Sequence, residues 1–320
     1  MSGCATFTPG ICPPGVRPGL TKAGVCKRLF FREKGVDFWV TIIVMGLSFS
    51  VLLFLISSGL SLVFGLMNVL NLTHGGYYLI GSFVGISVYK WTGNFLLAIL
   101  AGGAVAGVIG VGMERGFLRY LPGQLLDQVI LTMGFLFIFT NLAKWIWGPV
   151  PQMATPPSFV AGSLQIGAYS IYLYHLVVIF AGLIIAVVLW FFQEKTRYGA
   201  IIRAGIDNRE MIMAIGVNFS RVCAWVFFLG TAIAGISGVI GLPLLGAYLE
   251  SGSEILLYAI IVVIIGGLGS MQGALAGSFV IGIIHSFSKA FFPPLAFFMM
   301  YLLVIIILLV RPSGLFGRRS

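Results

Sequence analysis

Apolar segments, separated by short polar connections, follow one another from residue 38 to residue 310. Lipid offers the backbone no hydrogen-bond partner, so continuous apolar runs must form helices, and these runs lack the alternation of a transmembrane β-strand. The pattern predicts an all-α polytopic membrane protein with about ten transmembrane helices. Several segments are shorter than the roughly 20 residues that usually cross a bilayer, so eight helices with re-entrant segments are the alternative. The ten predicted segments are Phe38–Ile56, Ser57–Leu72, Gly76–Tyr89, Phe95–Val111, Val129–Ile146, Tyr172–Phe192, Val222–Leu242, Ile255–Ile265, Gly273–Phe287 and Leu295–Val310.

The charged connections predict how these segments are oriented, because cytoplasmic loops carry an excess of Lys and Arg. If ten segments cross from a cytoplasmic N-terminus, Lys90, Lys144 and Lys289 fall outside. The basic residues that fall inside are Arg115, Arg119, Lys195, Arg197, Arg203, Arg209, Arg221, Arg311, Arg318 and Arg319. This parity predicts a cytoplasmic tail over 1–37, a transmembrane domain over 38–311 with a cytoplasmic loop over 194–221, and a cytoplasmic tail over 312–320.

Composition supports the membrane class and narrows the chemistry. Hydrophobic residues make up 59% of the chain and charged residues 9%, and the mean hydropathy is +1.07. The net charge of +10 comes from basic residues between apolar runs, so it predicts no nucleic-acid partner. The sequence contains no G-x-x-x-x-G-K-[ST] phosphate loop and no H-E-x-x-H zinc site. We therefore expect a non-catalytic chain that binds no metal or cofactor of its own.

Two segments interrupt the apolar runs with polar side chains and paired glycines. Gly ends or kinks helices, and freed backbone groups are tolerated within a membrane only where they are buried in protein or line a water-filled path. These segments, with the small Ser61 before the first, predict a path for a solute; close helix packing through small residues is the alternative. The candidate path residues are Ser61, Asn68, Asn71, Thr73, His74 and Gly75 at the first break, and Gly266, Gly267, Ser270 and Gln272 at the second.

The loop over 194–221 has the pattern of a short amphipathic helix. Apolar residues such as Ile202 and Met213 alternate with charged ones over 202–215, and the loop carries many of the basic residues. A compact polar helix on an otherwise apolar chain indicates contact with another protein. The residues predicted to make this contact are Arg203, Asp207, Asn208, Arg209, Glu210 and Gly216.

Five ordered blocks resemble the signatures of the branched-chain amino-acid ABC importer permeases, and of the smaller of their two permeases in particular. The blocks are Gly65-Leu-Met-Asn-Val-Leu-Asn-Leu-Thr-His-Gly75, Arg197-Tyr-Gly-Ala-Ile-Ile-Arg-Ala204, Ala214-Ile-Gly-Val-Asn-Phe-Ser-Arg-Val222, Gly266-Gly-Leu-Gly-Ser-Met-Gln-Gly-Ala274 and Arg311-Pro-Ser-Gly-Leu-Phe-Gly317. The resemblance covers about residues 39–317.

The resemblance implies an arrangement similar to that of the vitamin B12 importer permease, in the bacterial inner membrane. It implies four kinds of partner: a second, homologous permease subunit forming a hetero-dimer, two cytoplasmic ATPase subunits that use ATP and Mg²⁺, a periplasmic solute-binding protein, and the lipid bilayer. The loop over 203–216 would then be the coupling helix that docks into an ATPase.

The chain departs from the family pattern in two places, and the first departure bears on the solute. Many relatives carry an acidic residue where this chain has Gly76, and Glu-Asp where it has Asp207 and Asn208. The solute is therefore open between a branched-chain amino acid and a related amide, urea or carboxylate.

The alternative function is a secondary transporter or channel for a small neutral solute, which predicts ionisable groups within the membrane. Glu250 and Glu254 are expected at an outer boundary, exposed to solvent.

Overall fold

The protein folds as a bundle of helices, described here from a computed structural model. The structure describes residues 36–67, 69–157, 160, 162–166, 169–207, 209–214, 216–311 and 314–316. Within these residues there are eleven α-helices and one antiparallel hairpin, in which Ser163 pairs with Tyr172. The predicted all-α membrane class is confirmed.

The helices are numbered in chain order. The transmembrane and half-length helices are α1 (Val36–Met67), α2 (His74–Thr92), α3 (Phe95–Gly116), α4 (Leu125–Trp147), α5 (Leu173–Lys195), α8 (Phe219–Leu245), α9 (Ser251–Gly266), α10 (Met271–Phe291) and α11 (Ala296–Val310). The short helices α6 (Arg197–Asp207) and α7 (Arg209–Ala214) follow α5, and the hairpin strands are β1 (Ser163–Ile166) and β2 (Tyr169–Tyr172).

The first two predicted segments are one continuous helix, which corrects the count of ten. Helix α1 runs for 32 residues through Ser57, where the sequence analysis divided it. No Gly-Pro pair or charged residue separates the two halves, and a helix this long crosses the bundle once. Nine apolar helices therefore remain in the described chain, of which six are long and apolar enough to cross a membrane.

Helix α8 is central and packs against α1, α2 and α3 through small residues. Gly235 of α8 lies against Gly81 of α2, and Gly230 lies against Gly59 of α1, each close enough that a Cβ would meet the other backbone. Apolar surface provides no driving force between helices in lipid, so close backbone approach and dispersion contacts must hold them together. The glycine pairs bring these helices into contact.

Helices α2 and α9 both begin inside the bundle. The His74 ring, at the start of α2, lies against Gly59 of α1. Gly59 is eight residues before the end of α1, so α2 begins about 12 Å into the bundle from that end. Gly252, at the start of α9, packs against Gly75. With 16 residues, α9 is about 24 Å long, shorter than the hydrocarbon core. The two helices run from this level toward opposite ends of the bundle.

The ends of the bundle can be told apart by their contacts. Met67 lines the same cavity as Arg203 of α6, so α1 ends beside the polar loop, at what we call the loop end. At the opposite, far end, Phe38 packs against Phe291, the last residue of α10, with ring centroids 6.0 Å apart. Phe316, near the C-terminus, lines the loop-end cavity.

The described chain therefore enters at the far end and leaves at the loop end. The ten-segment count had one more crossing, because it divided α1 in two. The cytoplasmic location of both terminal tails stays a prediction. Residues 1–35 of the predicted N-terminal tail, and 317–320 of the C-terminal one, lie outside the described residues. Which face of a membrane each end meets stays a prediction.

Thiol labelling should reproduce this arrangement. In a variant whose four native cysteines are replaced, a single cysteine at Lys90 or Lys289 should react with an impermeant maleimide on intact cells, because both residues lie near the far end. A cysteine at Gln272, which is exposed at the loop end, should react only after permeabilisation. Reaction of Lys90 and Gln272 positions from the same side would contradict the arrangement of α2 and α10.

Candidate functional site

A cavity of about 1340 Å³ opens among the helix ends at the loop end. Polar side chains from six parts of the chain line it, so the cavity can hold water and a polar solute. They come from the ends of α3 and α5, from the start of α4, from α6, and from the starts of α8 and α10 with the connections before them. The polar residues are Glu114, Arg119, Gln128, Gln193, Glu194, Arg203, Asn218, Ser220, Ser270 and Gln272. Of the predicted path residues, Ser270 and Gln272 lie here.

The first predicted break is a tight turn that starts α2 within the bundle. The Asn71 Oδ1 atom accepts a hydrogen bond from the Thr73 N–H at 3.0 Å, and the His74 N–H donates to the Asn71 carbonyl oxygen. The Thr73 hydroxyl donates to the Thr132 carbonyl oxygen of α4 at 2.7 Å. All three side chains are fully buried, so the turn is held by internal hydrogen bonds.

The structure places the other residues of this break in packing positions. Ser61 is buried within α1, and a Cβ on Gly75 would collide with the Gly252 carbonyl oxygen. Neither residue lines the loop-end cavity, nor does Asn71, Thr73 or His74. These are packing positions within this chain, and the role of these residues in a solute path stays a prediction. Asn68 lies outside the described residues.

The second predicted break joins α9 to α10 and seats the C-terminal segment. Gly267 and Gly269 have φ angles of 100° and 78°, a backbone conformation that favours glycine. Gly266 packs against Gly273, and its carbonyl oxygen accepts a hydrogen bond from the Phe316 N–H at 3.0 Å. Gly266 and Gly267 are thus buried structural residues, whereas Ser270, which caps α10, faces the cavity.

Helices α6 and α7 form the polar loop that the sequence predicted. Thr196 caps α6, since its hydroxyl oxygen accepts the Gly199 N–H at 3.1 Å. The apolar side of the pair packs onto α1 and α8 through Ile202 and Ile212, both buried. These contacts seat α6 and α7 against the bundle.

The predicted contact residues fall into two groups. Arg203 is turned back toward the bundle, where it binds the end of α5. The helix backbone places Asp207, Arg209 and Glu210, whose side chains are not described, and Asn208 lies outside the described residues. Gly216 ends the pair with a φ of 85°, a conformation that glycine adopts without strain.

Arg203 joins α6 to the end of α5. Its Nη1 atom donates to the Gln193 carbonyl oxygen, Nη2 donates to the Glu194 carbonyl oxygen at 3.4 Å, and Nη1 also lies 3.4 Å from Glu194 Oε2. These carbonyl groups have no partner within the helix. Arg203 therefore fixes the angle between the two helices, a role that the sequence pattern did not predict.

Substitutions at Glu194 and Arg203 should distinguish the stability contributed by the carbonyl hydrogen bonds from that contributed by the ion pair. We expect Glu194→Gln to leave the melting temperature of the purified protein nearly unchanged, because an ion pair between half-exposed groups contributes at most about 1 kcal/mol. Arg203→Met should lower it further, because the carbonyl oxygens lose their donors. Arg221→Met, at an exposed arginine of the same end, is the control. Equal melting temperatures for the Glu194 and Arg203 variants would contradict this role.

The structure places two carboxylates where the sequence pattern did not predict them. Glu114 lies in the last turn of α3, is 2% exposed, and is among the residues that line the loop-end cavity; its buried Oε2 atom has no hydrogen-bond partner. Glu254 lies in the first turn of α9, not at a solvated outer boundary as expected. Both stand at the edge of a predicted apolar segment, so the segment boundaries hid them.

Comparison with known proteins gives a match along nearly the whole helical region. The family model described as "Branched-chain amino acid transport system / permease component" matches residues 42–309. The high-affinity branched-chain amino acid transport system permease protein BraD of Pseudomonas aeruginosa is 27% identical over 281 residues, covering 82% of this chain and 91% of BraD. The corresponding LivH of Escherichia coli is 28% identical over 286 residues, with the same shares.

A solved structure, PsaBC from Streptococcus pneumoniae in complex with Fab, is similar with a TM-score of 0.46 and 12% identity. The aligned region covers 89% of this chain and 94% of the matched chain in that structure. The sequence matches include both predicted breaks and the polar loop of α6 and α7.

Proposed function

Since the chain belongs to the family of branched-chain amino acid transport permeases, we propose that it is the transmembrane permease subunit of a binding-protein-dependent ABC importer in the bacterial inner membrane. The solute is a small polar molecule, a branched-chain amino acid or a related amide, urea or carboxylate. Separate ATPase subunits bind ATP and Mg²⁺ and supply the energy. The chain itself takes no part in catalysis.

The observation that carries this proposal is the pair α6 and α7 beside the loop-end cavity. The pair is anchored to α5 by Arg203 and packed onto α1 and α8, so a force applied to it would reach the helices that border the cavity. A rigid helix pair at the mouth of a polar cavity is suited to transmit the movement of an ATPase. The loop end would then be cytoplasmic.

The remaining partners follow from the same orientation. A solute-binding protein would deliver its ligand at the far end, where β1 and β2 and the connections around Gln152 lie. A second, homologous permease would complete the path, because the described polar residues of the first break, such as Asn71 and His74, are buried within this chain. We propose a hetero-dimer of permeases with two ATPases.

A second candidate function is secondary transport, favoured by the two carboxylates within the bundle. Glu114 and Glu254 supply ionisable groups that the sequence analysis had not found in the apolar segments. A secondary transporter would use such groups to couple an ion gradient to solute movement. It would move solute without any ATPase.

Reconstitution distinguishes the two functions. Proteoliposomes containing this chain, its partner permease and both ATPases, with ATP enclosed, should take up radiolabelled leucine when the binding protein is added. Uptake should stop when the ATPase phosphate loops carry an inactivating substitution. Uptake that persists with the inactive ATPases, or with this chain alone, would refute the importer and support the secondary transporter.

A further inference from the structure

Glu254 is partly exposed and lies in the first turn of α9, at the level where α2 begins. A Cβ on Gly252 would meet the Gly75 carbonyl oxygen at 2.8 Å and the Leu79 Cβ at 3.2 Å, so the first turn of α9 is packed against the first turn of α2. A carboxylate is costly at this depth and is found there mainly at functional sites. Its surroundings therefore need an explanation.

Phenol groups surround this carboxylate. The Tyr248 hydroxyl donates to Glu254 Oε2 at 2.5 Å, and the Tyr258 hydroxyl donates to Oε1 at 3.3 Å. Tyr258 is held by neighbouring rings, with centroids 5.8 Å from Phe49 and 5.4 Å from His285. Each carboxylate oxygen can accept more than one hydrogen bond, so acceptor capacity is left over.

A third phenol, that of Tyr78, lies in the same part of the bundle, and its hydroxyl group makes no hydrogen bond. Tyr78 of α2 is 1% exposed. Tyr78 lies in the part of α2 that packs against the first turn of α9, where Glu254 lies. An unpartnered buried hydroxyl is unfavourable unless a further group binds there. We call Glu254, Tyr78, Tyr248 and Tyr258 the carboxylate cluster.

The cluster adjoins an open face of the chain. Ser253 and Leu257, on the same face of α9, are exposed, and Glu254 itself is partly exposed. Intramembrane carboxylates almost always face a bundle interior or a water-filled cavity. In the assembled importer this face would therefore border an aqueous route, and a solute on that route could reach Glu254.

We propose that the carboxylate cluster binds the protonated amine of the transported solute within the membrane, which narrows the solute class to primary amines such as amino acids. The inference rests on the proposed importer function. A primary ammonium carries three donors, which the carboxylate and the phenol oxygens can accept, and phenol rings also attract cations. No group of three or more metal-ligating side chains is present among the described residues, which favours an organic cation over a metal ion.

The same contacts would also suit a purely structural carboxylate. Glu254 lies in the first turn of α9, where the helix dipole stabilises negative charge, and its bond to Tyr248 closes the preceding turn. Glutamine preserves the acceptor oxygen and the shape of the side chain but removes the charge. A structural role should therefore tolerate glutamine, whereas amine binding should not.

The test is leucine uptake by the full importer in proteoliposomes. We expect Glu254→Gln to assemble normally and to lower ATP-dependent leucine uptake at least about tenfold, because a cation loses its charged partner. Glu254→Asp should retain part of the uptake. Glu250→Gln, which removes an exposed carboxylate one turn away, is the matched control and should transport as wild type does.

Thermal stability of the permease–ATPase complex without binding protein gives a second readout. Isopentylamine should raise the melting temperature of the wild type and of Glu250→Gln but not of Glu254→Gln, and isocaproate, which lacks the amine, should raise none. Wild-type uptake of leucine by Glu254→Gln, or loss of its assembly, would overturn amine binding. Absence of ATP-dependent uptake in the wild type, with stabilisation by isopentylamine intact, would refute the importer function alone.

Discussion

Replacing Gly75 by alanine should prevent this protein from accumulating in its folded form. The added Cβ would collide with the Gly252 carbonyl oxygen and lie 2.8 Å from the Leu256 Cβ. Both obstacles belong to α9, and neither is the flexible end of a long side chain. The helices would have to separate, which costs about 1–3 kcal/mol for one methyl group in a packed core. Valine at this position should be worse.

Fluorescence-detected gel filtration and thermal melting in detergent would measure this effect. Gly134→Ala is the matched control, because Gly134 is exposed on α4 and a Cβ there would meet no atom within 4 Å. Alanine within a helix is intrinsically favourable, so the control should melt at or above the wild-type temperature. If the Gly75 and Gly134 variants melt alike and transport is lost only for Gly75→Ala, Gly75 belongs to the solute path after all.

Charge reversal on α6 and α7 should uncouple transport from ATP hydrolysis. We expect the double variant Asp207→Lys, Arg209→Glu to lose most leucine uptake and most of the ATP hydrolysis that the loaded binding protein stimulates. The reason is that like charges across a protein interface are costly and suppress binding. The fold should remain, because the apolar side of the pair, with Ile202 and Ile212, is unchanged.

Two measurements would establish this effect. The melting temperature of the isolated permease should stay near the wild-type value, and co-purification of the ATPases should fall. Arg221→Glu, which reverses an exposed charge at the same end but on α8, should couple normally. Normal stimulation of ATP hydrolysis in the double variant would contradict the docking role of the pair.

The local pattern of the chain was enough for the membrane class, the helices and the polar loop. Hydrophobicity is a property of each segment, and a segment in lipid must satisfy its own backbone hydrogen bonds, so its helical state needs no distant contact. The five family blocks likewise lie within short stretches of sequence. The match over residues 42–309 includes four of the five.

The local pattern could not predict that α1 is one continuous helix, nor what the residues of the first break do. An apolar run of 30 residues can form one long helix or two short ones, and the choice depends on whether the neighbouring helices leave room for a turn. Ser61, His74 and Gly75 are polar or small, which suits a path and a close helix contact equally. The structure places His74 against Gly59 and Gly75 against Gly252, contacts between residues distant in sequence that no local pattern predicts.

Tertiary structure alone also decided the positions of the charged groups. Arg203 has the pattern of a surface residue, yet a helix end ten residues earlier supplies the carbonyl oxygens that hold it. The sequence around Glu254 is typical of a solvated helix end, because no neighbouring residue indicates that α9 begins inside the bundle. Sequence determines which groups a segment carries, whereas the depth and the partners of each group arise from the packing of segments far apart in the chain.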